Sequence, residues 1–476
     1  MANSSYEAVI GLECHVQLAT HSKMFCGCPT DYSGAAPNTH VCPICLGMPG
    51  VLPVINRVAV EYTLLTGLAM NSEIPEATKF DRKNYPYPDL VKGYQISQYD
   101  LPLVKGGWIE ITTPNSPEPR RIRLERVHLE EDTGKLTHVP GGSLVDFNRS
   151  GVPLMEMVSQ PDLRSPAEAR AYLLKLRAIL RTLGVSDADM EKGQLRCDVN
   201  VSLRLLGQQE LGTKVEVKNL NSFRAVQHSL EYEIARQAEV LERGERISQE
   251  TRGWVEERGI TVSQRSKEEA HDYRYFPEPD LPPLFVERAW VAELRARLPE
   301  LPDARRTRYM DAFGLGTYDA EALSTDGLAA RFFEDTVRAG ADAKKAANWI
   351  QNDVARLRDA NGDGHALKPE DLAELIRLVD DGVIGISAAR QVLPEVQRTG
   401  KSPRGLIEEL GLAQVSDTSA LEEAAKAAIE ANPAAVADYK SGKETAINFL
   451  KGQVMKATKG KANPQVAEEV LRKLLS

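Results

Sequence analysis

The sequence predicts an α+β chain. A mixed or antiparallel-sheet cradle domain comes first, an all-α helical domain follows, and a small α-helical tail domain ends it. Three observations carry this. Several N-terminal segments alternate apolar and polar residues with the two-residue period of a half-covered strand. From about Leu298 the composition shifts to Ala, Leu, Arg and Asp at helical spacing. Pro299 and Pro302 mark one break, and Gly411–Asp417 a second. The expected domains are therefore 1–297, 298–410 and 411–476.

Composition fits that layout. The chain has 476 residues, of which 42% are apolar and 27% charged, ordinary for a globular protein with a sizeable core. The net charge of −9 argues against a general nucleic-acid binder. Its distribution differs along the chain: Lys440 to Lys461 holds six Lys and one Glu, a local +5 that leaves −14 for the rest. No signal peptide or membrane-spanning run is recognisable, and six Cys are too few for a disulfide scaffold, so a cytoplasmic location is expected.

The first strand is expected over Glu7–Ala19. Ile10, Leu12, Cys14, Val16 and Leu18 share one parity, and Glu13, His15 and Gln17 the other. Glu13 and His15 then point the same way, about 7 Å apart, within reach of one metal or substrate. Next come Cys26 and Cys28, then Cys42 and Cys45. Two close Cys pairs can close a tetrahedral thiolate site, which suits zinc, and four protein ligands make it structural. Cys14 and Cys197 read as strand-packing residues.

Arg57–Met70 reads as a helix. Lys79–Asp89 and Gly93–Gln98 read as a loop, because Tyr-Pro-Tyr-Pro cannot be regular helix. This stretch could contact a nucleotide or be a plain polar surface. Apolar Ile122, Leu124, Val127 and Leu129 lead into His128, Glu130, Glu131 and Asp132, followed by the turn Thr133-Gly134-Lys135. Adjacent carboxylates repel unless a cation neutralises them. Such a cluster at a strand end suits a metal and phosphate site. Glu156 lies between two Met inside the apolar run Leu154–Val158, where a carboxylate also requires a partner.

Ser165-Pro-Ala-Glu168 opens a helix with N-cap, first-turn Pro and N3 Glu. Tyr172, Leu173, Leu176, Ile179, Leu180 and Leu183 form its buried stripe. Arg196–Arg204 and Lys214–Lys218 alternate again, with Arg196, Asp198 and Asn200 on the polar face of the first. Asp272–Asp280 reads as a non-helical loop. The C-terminal sixty or so residues read as three helices with Lys-rich turns. Asp359 to Glu370 fits a calcium-loop pattern, but Ala366 and Pro369 speak against it and Pro369-Glu370 is an ordinary helix start.

Neither a P-loop nor a dinucleotide fingerprint is present. The residues alone indicate a metal-dependent phosphoryl-transfer or ligase-type cradle with a basic helical tail for nucleic acid.

Seven motifs in order then carry a resemblance: Val9–His15, Lys79–Tyr85, Tyr94–Gln98, His128–Lys135, Leu195–Asp198, Val217–Phe223 and Asp272–Asp280. Over essentially its whole length the chain resembles the B subunits of aspartyl/glutamyl-tRNA(Asn/Gln) amidotransferases. Lacking a long insertion between cradle and helical region, it is similar to the bacterial and organellar type. The resemblance implies ATP-dependent phosphorylation of the side-chain carboxylate of Glu-tRNA(Gln) or Asp-tRNA(Asn), then amidation by ammonia. Ammonia would come from the glutaminase (A) partner, with a small C partner completing a heterotrimer; this chain has no glutaminase nucleophile motif. The implied metal ligands are His15, Glu131 and Glu156 for Mg²⁺, or Mn²⁺ given the imidazole, with Glu13, Glu130 and Asp198 nearby. Lys83 and Glu131 would sit where ammonia enters. Asn84, Tyr85, Gln95, Ser97, Arg149, Arg196, Asn200 and Lys218 are the expected ATP contacts. The four-Cys zinc site occurs in only part of the family, so it is not needed for the chemistry. Two readings of other classes compete: a non-catalytic tRNA-binding or chaperone protein, and a free-standing ligase using free ammonia.

Overall fold

Tyr6–Gln17 is a twelve-residue strand at the middle of a nine-stranded sheet. Its neighbours are Pro153–Ser159 and Leu195–Leu205, both antiparallel. Ser116–Glu131 pairs with Pro153–Ser159 on one side, and Val215–Lys218 with Leu195–Leu205 on the other. The sheet is mixed, because Val215–Lys218 runs parallel to Glu250–Val255. The computed structural model describes residues 5–113, 116–266, 272–360, 367–413, 418–458 and 464–475. Two units divide between Pro302 and Asp303.

The alternation in the sequence sorts the two faces of this sheet. Ile10, Leu12, Cys14 and Val16 are buried with Met155, Met157, Cys197, Val199 and Val201 in one core. Helices Arg57–Ala69, Pro166–Leu183 and Phe223–Glu242 cover that face with Leu64, Tyr172, Leu176, Val226 and Leu230. Cys14 and Cys197 are register partners on the covered face, with Sγ atoms 3.6 Å apart. Ser165 caps the second helix by accepting from the Glu168 N–H at 3.2 Å, and Gly184 closes it in the left-handed region. Glu13, His15, Glu156, Arg196, Asp198 and Asn200 share the opposite face, which is the cradle.

Segment 79–98 departs from the loop expected of it. Asp81–Asn84 and Tyr94–Ser97 are antiparallel strands, joined by Phe276–Pro277 into a small sheet. Tyr-Pro-Tyr-Pro forms only the connection between them. Gly134, in the turn after the acidic run, has no room for a side chain: a Cβ would lie 2.9 Å from the Phe147 ring.

The second unit is helical. One core gathers Tyr309, Phe333, Trp349, Leu372, Leu375, Ile376, Val392 and Leu393. A separate cluster of Leu421, Ala425, Ile447, Leu450, Val454, Val470 and Leu471 belongs to the C-terminal helices. Among the described residues those are four, not the expected three, because Pro433 starts an extra helix, Pro433–Lys440, between Thr418–Ala431 and Ala446–Ala457; Pro464–Leu475 is the fourth. Positions 361–366 of the calcium-like pattern, and Lys459 and Lys461 of the basic window, lie outside the described residues. No helix among the described residues is long and apolar enough to cross a membrane.

Candidate active site

Strand register aligns Arg196, His15, Glu156 and His128 in one row across four strands. Asp198 and Glu13 form a neighbouring pair in a nearby row. His15 Nε2 lies 3.3 Å from Glu156 Oε2, 3.7 Å from Glu130 Oε1 and 3.8 Å from Glu13 Oε1. His128 Nε2 lies 3.5 Å from the same Glu156 oxygen. Two overlapping donor groups result, Glu13–His15–Glu156 and His128–Glu130–Glu156, each with ligand atoms within 4.8 Å of one another.

Glu131, which the resemblance implies as a ligand with His15 and Glu156, lies outside both groups. It points to the other side of its strand. Its neighbour Glu130 shares the parity of His128 and faces the cluster, whereas Glu131 is ion-paired to Lys92 and accepts from the Ile96 N–H at 3.0 Å. The carboxylates that converge with His15 are therefore Glu13, Glu130 and Glu156. His128, which the sequence places in the acidic stretch without giving it a ligand role, stands in the same row; its period-two spacing from Glu130 is visible in the sequence.

The electrostatics of the cluster are those of acids in need of a cation. Burial, then the Glu156 carboxylate, push Glu13 up to about 7. Burial alone would lower the His15 imidazole, but Glu156, Glu130 and Glu13 push it up to about 9. Burial would raise Glu156, yet His128, His15 and Lys83 hold it well below the usual carboxylate range. His128 is held below its ordinary value by burial, and its buried Nδ1 has no hydrogen-bond partner. Carboxylate oxygens with one or two imidazole nitrogens form a donor set that fits a divalent cation, and the imidazoles suit Mn²⁺ better than Mg²⁺. Binding one requires His15 to give up its proton.

The other expected residues fall on two sides of this cluster. On the strands Leu195–Leu205 and Val215–Lys218, Lys218 Nζ is 2.5 Å from Asp198 Oδ2 and 3.2 Å from Glu216 Oε1. Arg196 donates to Asp132 Oδ2 at 2.8 Å, and Arg149 donates to the carbonyls of Thr133 and Gly134. Asn200 lines a recess with Glu13, Gly212 and Lys214. On the small sheet, Ser97 donates to Glu130 at 3.2 Å and Gln95 to the Glu131 carbonyl at 2.8 Å, so both position the acidic strand. Asn84 Nδ2 donates to the Arg274 carbonyl at 2.9 Å, and the Tyr85 hydroxyl lies 3.4 Å from Gln95 Oε1.

Lys83 projects toward the cluster. Burial would lower its ammonium, but Glu130 and Glu156 hold it above the ordinary range. Its Nζ stands 5.2 Å from the centre of the Tyr273 ring. Tyr273 in turn meets Tyr85 edge-on at 5.6 Å.

A second metal-competent group is separate from the first. Cys26, Cys28, Cys42 and Cys45 bring their sulfurs within 4.8 Å of one another. A hydrogen bond from Cys26 holds the Cys45 thiol down to about 4, helped by the Lys23 ammonium, whose Nζ is 3.7 Å from Cys45 Sγ. Four sulfurs converging around one thiolate fit a soft tetrahedral metal.

Comparison with known proteins places the chain in a family. Residues 8–292 match the family model described as the GatB/GatE catalytic domain, and residues 331–475 match the one described as the GatB domain. The chain is 56% identical to the B subunit of the aspartyl/glutamyl-tRNA(Asn/Gln) amidotransferase of Moorella thermoacetica, over 99% of this chain and 100% of that one. It is 53% identical to the protein of the same name from Carboxydothermus hydrogenoformans, over 99% of each.

Proposed function

The chain belongs to the GatB family of aspartyl/glutamyl-tRNA(Asn/Gln) amidotransferase B subunits, and from that premise we propose how its cradle activates and amidates an aminoacyl-tRNA. The γ-phosphoryl group of ATP passes to the side-chain carboxylate of Glu on tRNA(Gln) or Asp on tRNA(Asn). A carboxylate oxygen forms the new P–O bond as the bond to ADP breaks. Ammonia then attacks the acyl carbon, a C–N bond forms, and phosphate leaves with the former carboxylate oxygen. The products are Gln-tRNA(Gln) or Asn-tRNA(Asn), used in protein biosynthesis.

The single observation that carries this reading is the convergence of His15, Glu13, Glu130 and Glu156 on the open face of the sheet. These residues, with His128, would hold Mg²⁺ or Mn²⁺, which when bound neutralises the acids and the transferring phosphoryl charge together. Lys83 keeps a cation beside Glu130 and Glu156, where an anionic substrate oxygen must approach. Arg196, Lys218, Arg149 and Asn200 are the candidates for the ATP side of the cluster, with Asp198 fixing Lys218. For Asn84, Tyr85, Gln95 and Ser97 the hydrogen bonds favour a supporting role, holding the small sheet and the acidic strand. Glu131 lines a recess of about 200 Å³ with Lys92, Tyr94 and Ile96, and with Lys83 it is our candidate for the ammonia route. Zinc is the metal proposed for the four Cys. The partners proposed are a glutaminase A chain and a small C chain in a cytoplasmic heterotrimer.

A transamidation assay with the three purified proteins of that heterotrimer and each mischarged tRNA tests the reading. Phosphate release from ATP is expected to depend on mischarged tRNA, and amide formation on glutamine. ATP cleavage indifferent to the tRNA, or none in the complete complex, would overturn it.

A further inference from the structure

We infer that the tyrosines beside Lys83 form a stacking platform for the terminal adenosine of the aminoacyl-tRNA substrate, with Tyr99 as its outer face. The inference rests on the function proposed above and adds where the RNA end sits.

The rings come from three segments that the fold brings together. Tyr275 and Tyr99 are stacked, centres 4.4 Å apart and planes 10° from parallel. Tyr273 meets Tyr275 edge-on at 6.0 Å and Tyr85 at 5.6 Å, and lies over Lys83. A buried aromatic cluster would be ordinary core, but Tyr99 is 56% exposed and Tyr273 39%. Tyr99 thus keeps more than half of its surface uncovered, room for a further flat ring on the stack. The backbone that presents the pair is held under strain: Arg274, between Tyr273 and Tyr275, has φ 45°, a region a long side chain rarely adopts. Asn84 fixes it there through the Tyr273 and Arg274 carbonyls. Strain of this kind persists where surrounding contacts impose it, and it clusters at ligand sites.

Two features identify the occupant. The first is a tether. The reacting side-chain carboxylate belongs to an amino acid whose α-carboxyl is esterified to the terminal ribose, so that ribose lies within roughly 10 Å of the carboxylate. A carboxylate at Glu130 and Glu156 therefore brings the adenosine within reach of the groups around Lys83. The second is asymmetry. Cations stand on both sides of His15 and Glu156, with Arg196, Lys214 and Lys218 on one and Lys83 and Arg126 on the other. The stacked rings belong to the second side, where Tyr273 lies over Lys83 and Tyr99 follows Ser97, the donor to Glu130, and this leaves the first side to the triphosphate. Base–aromatic stacking is tolerant of everything but a flat ring and contributes measurably per base.

The test uses the complete complex carrying Tyr99→Ala or Tyr99→Phe. Kinetic constants for mischarged tRNA and for ATP are measured separately. Tyr99→Ala should lower kcat/KM for the tRNA by roughly 10- to 100-fold, with the KM for ATP within about twofold, whereas Tyr99→Phe should retain wild-type values. A direct probe is an aminoacylated RNA minihelix ending in 2-aminopurine riboside, whose fluorescence should be quenched by the wild-type complex and not by the Ala variant. Unchanged tRNA constants and quenching in a folded Tyr99→Ala complex overturn the platform, and a raised KM for ATP alone assigns the rings to the wrong adenosine. A wild-type complex without tRNA-dependent ATP cleavage would instead sink the underlying function.

Discussion

His15 Nε2 and Glu156 Oε2 lie 3.3 Å apart, on residues that strand register sets directly opposite each other in the middle of the sheet. The pair joins two donor groups that share the Glu156 carboxylate. Any cation bound by one group is felt by the other, so the cluster behaves as one electrostatic unit.

That arrangement separates two adjacent acids. Glu130→Ala and Glu156→Ala, assayed in the assembled complex with radiolabelled ATP and mischarged tRNA, should lower phosphate release by on the order of 100-fold or more. Glu131→Ala should affect phosphate release less than either. Glutaminase activity of the partner protein should stay measurable in all three. Near-normal phosphate release in both the Glu130 and Glu156 variants would remove the metal assignment.

Glu131 should matter to stability in its own right. Its ion pair leaves Lys92 little exposed, and removing the acid strands that cation. Glu131→Ala is expected to destabilise the first unit by about 3–5 kcal/mol, and Lys92→Met with Glu131→Met to recover most of the loss. Scanning calorimetry of the single and double variants reads this. A single variant as stable as the wild type counts against the pair.

The four-Cys group should carry one equivalent of zinc per chain in protein purified without chelator. Stripping it should lower the thermal transition of the first unit without abolishing transamidation while the fold survives, because a four-ligand site leaves no open position for chemistry. Elemental analysis finding no zinc would count heavily against the assignment.

The basic window should serve tRNA affinity and not the chemistry. Lys451 pairs with Glu468 and Lys443 with Asp438, while Lys440 and Lys456 are exposed. Deleting the residues after about 410 removes a separate hydrophobic cluster. It should raise the KM for tRNA far more than that for ATP, and flatten the salt dependence of tRNA binding. Binding by the truncated chain equal to that of the full chain at both low and high salt would refute this.

The sequence by itself determined the faces of the strands. Period-two alternation put Glu13 beside His15, and it marked Glu156 as an acid inside an apolar run. The same rule separates Glu130 from Glu131, since His128 shares the parity of Glu130 alone; applied at the end of the acidic run, it tells which of the two acids shares a face with His128. What only the tertiary structure decided is which faces meet. His15, Glu156 and Arg196 are far apart in the chain, and their alignment depends on the register of strands whose order no local pattern encodes. Slipping one strand by a single residue would turn every one of its polar side chains to the covered face, so packing of the apolar side fixes the polar side. The pairing of Glu131 with Lys92, of Arg196 with Asp132, and of Tyr273 with Lys83 likewise joins segments that share no sequence signal. Each is chosen by the space and charge left once the core has closed.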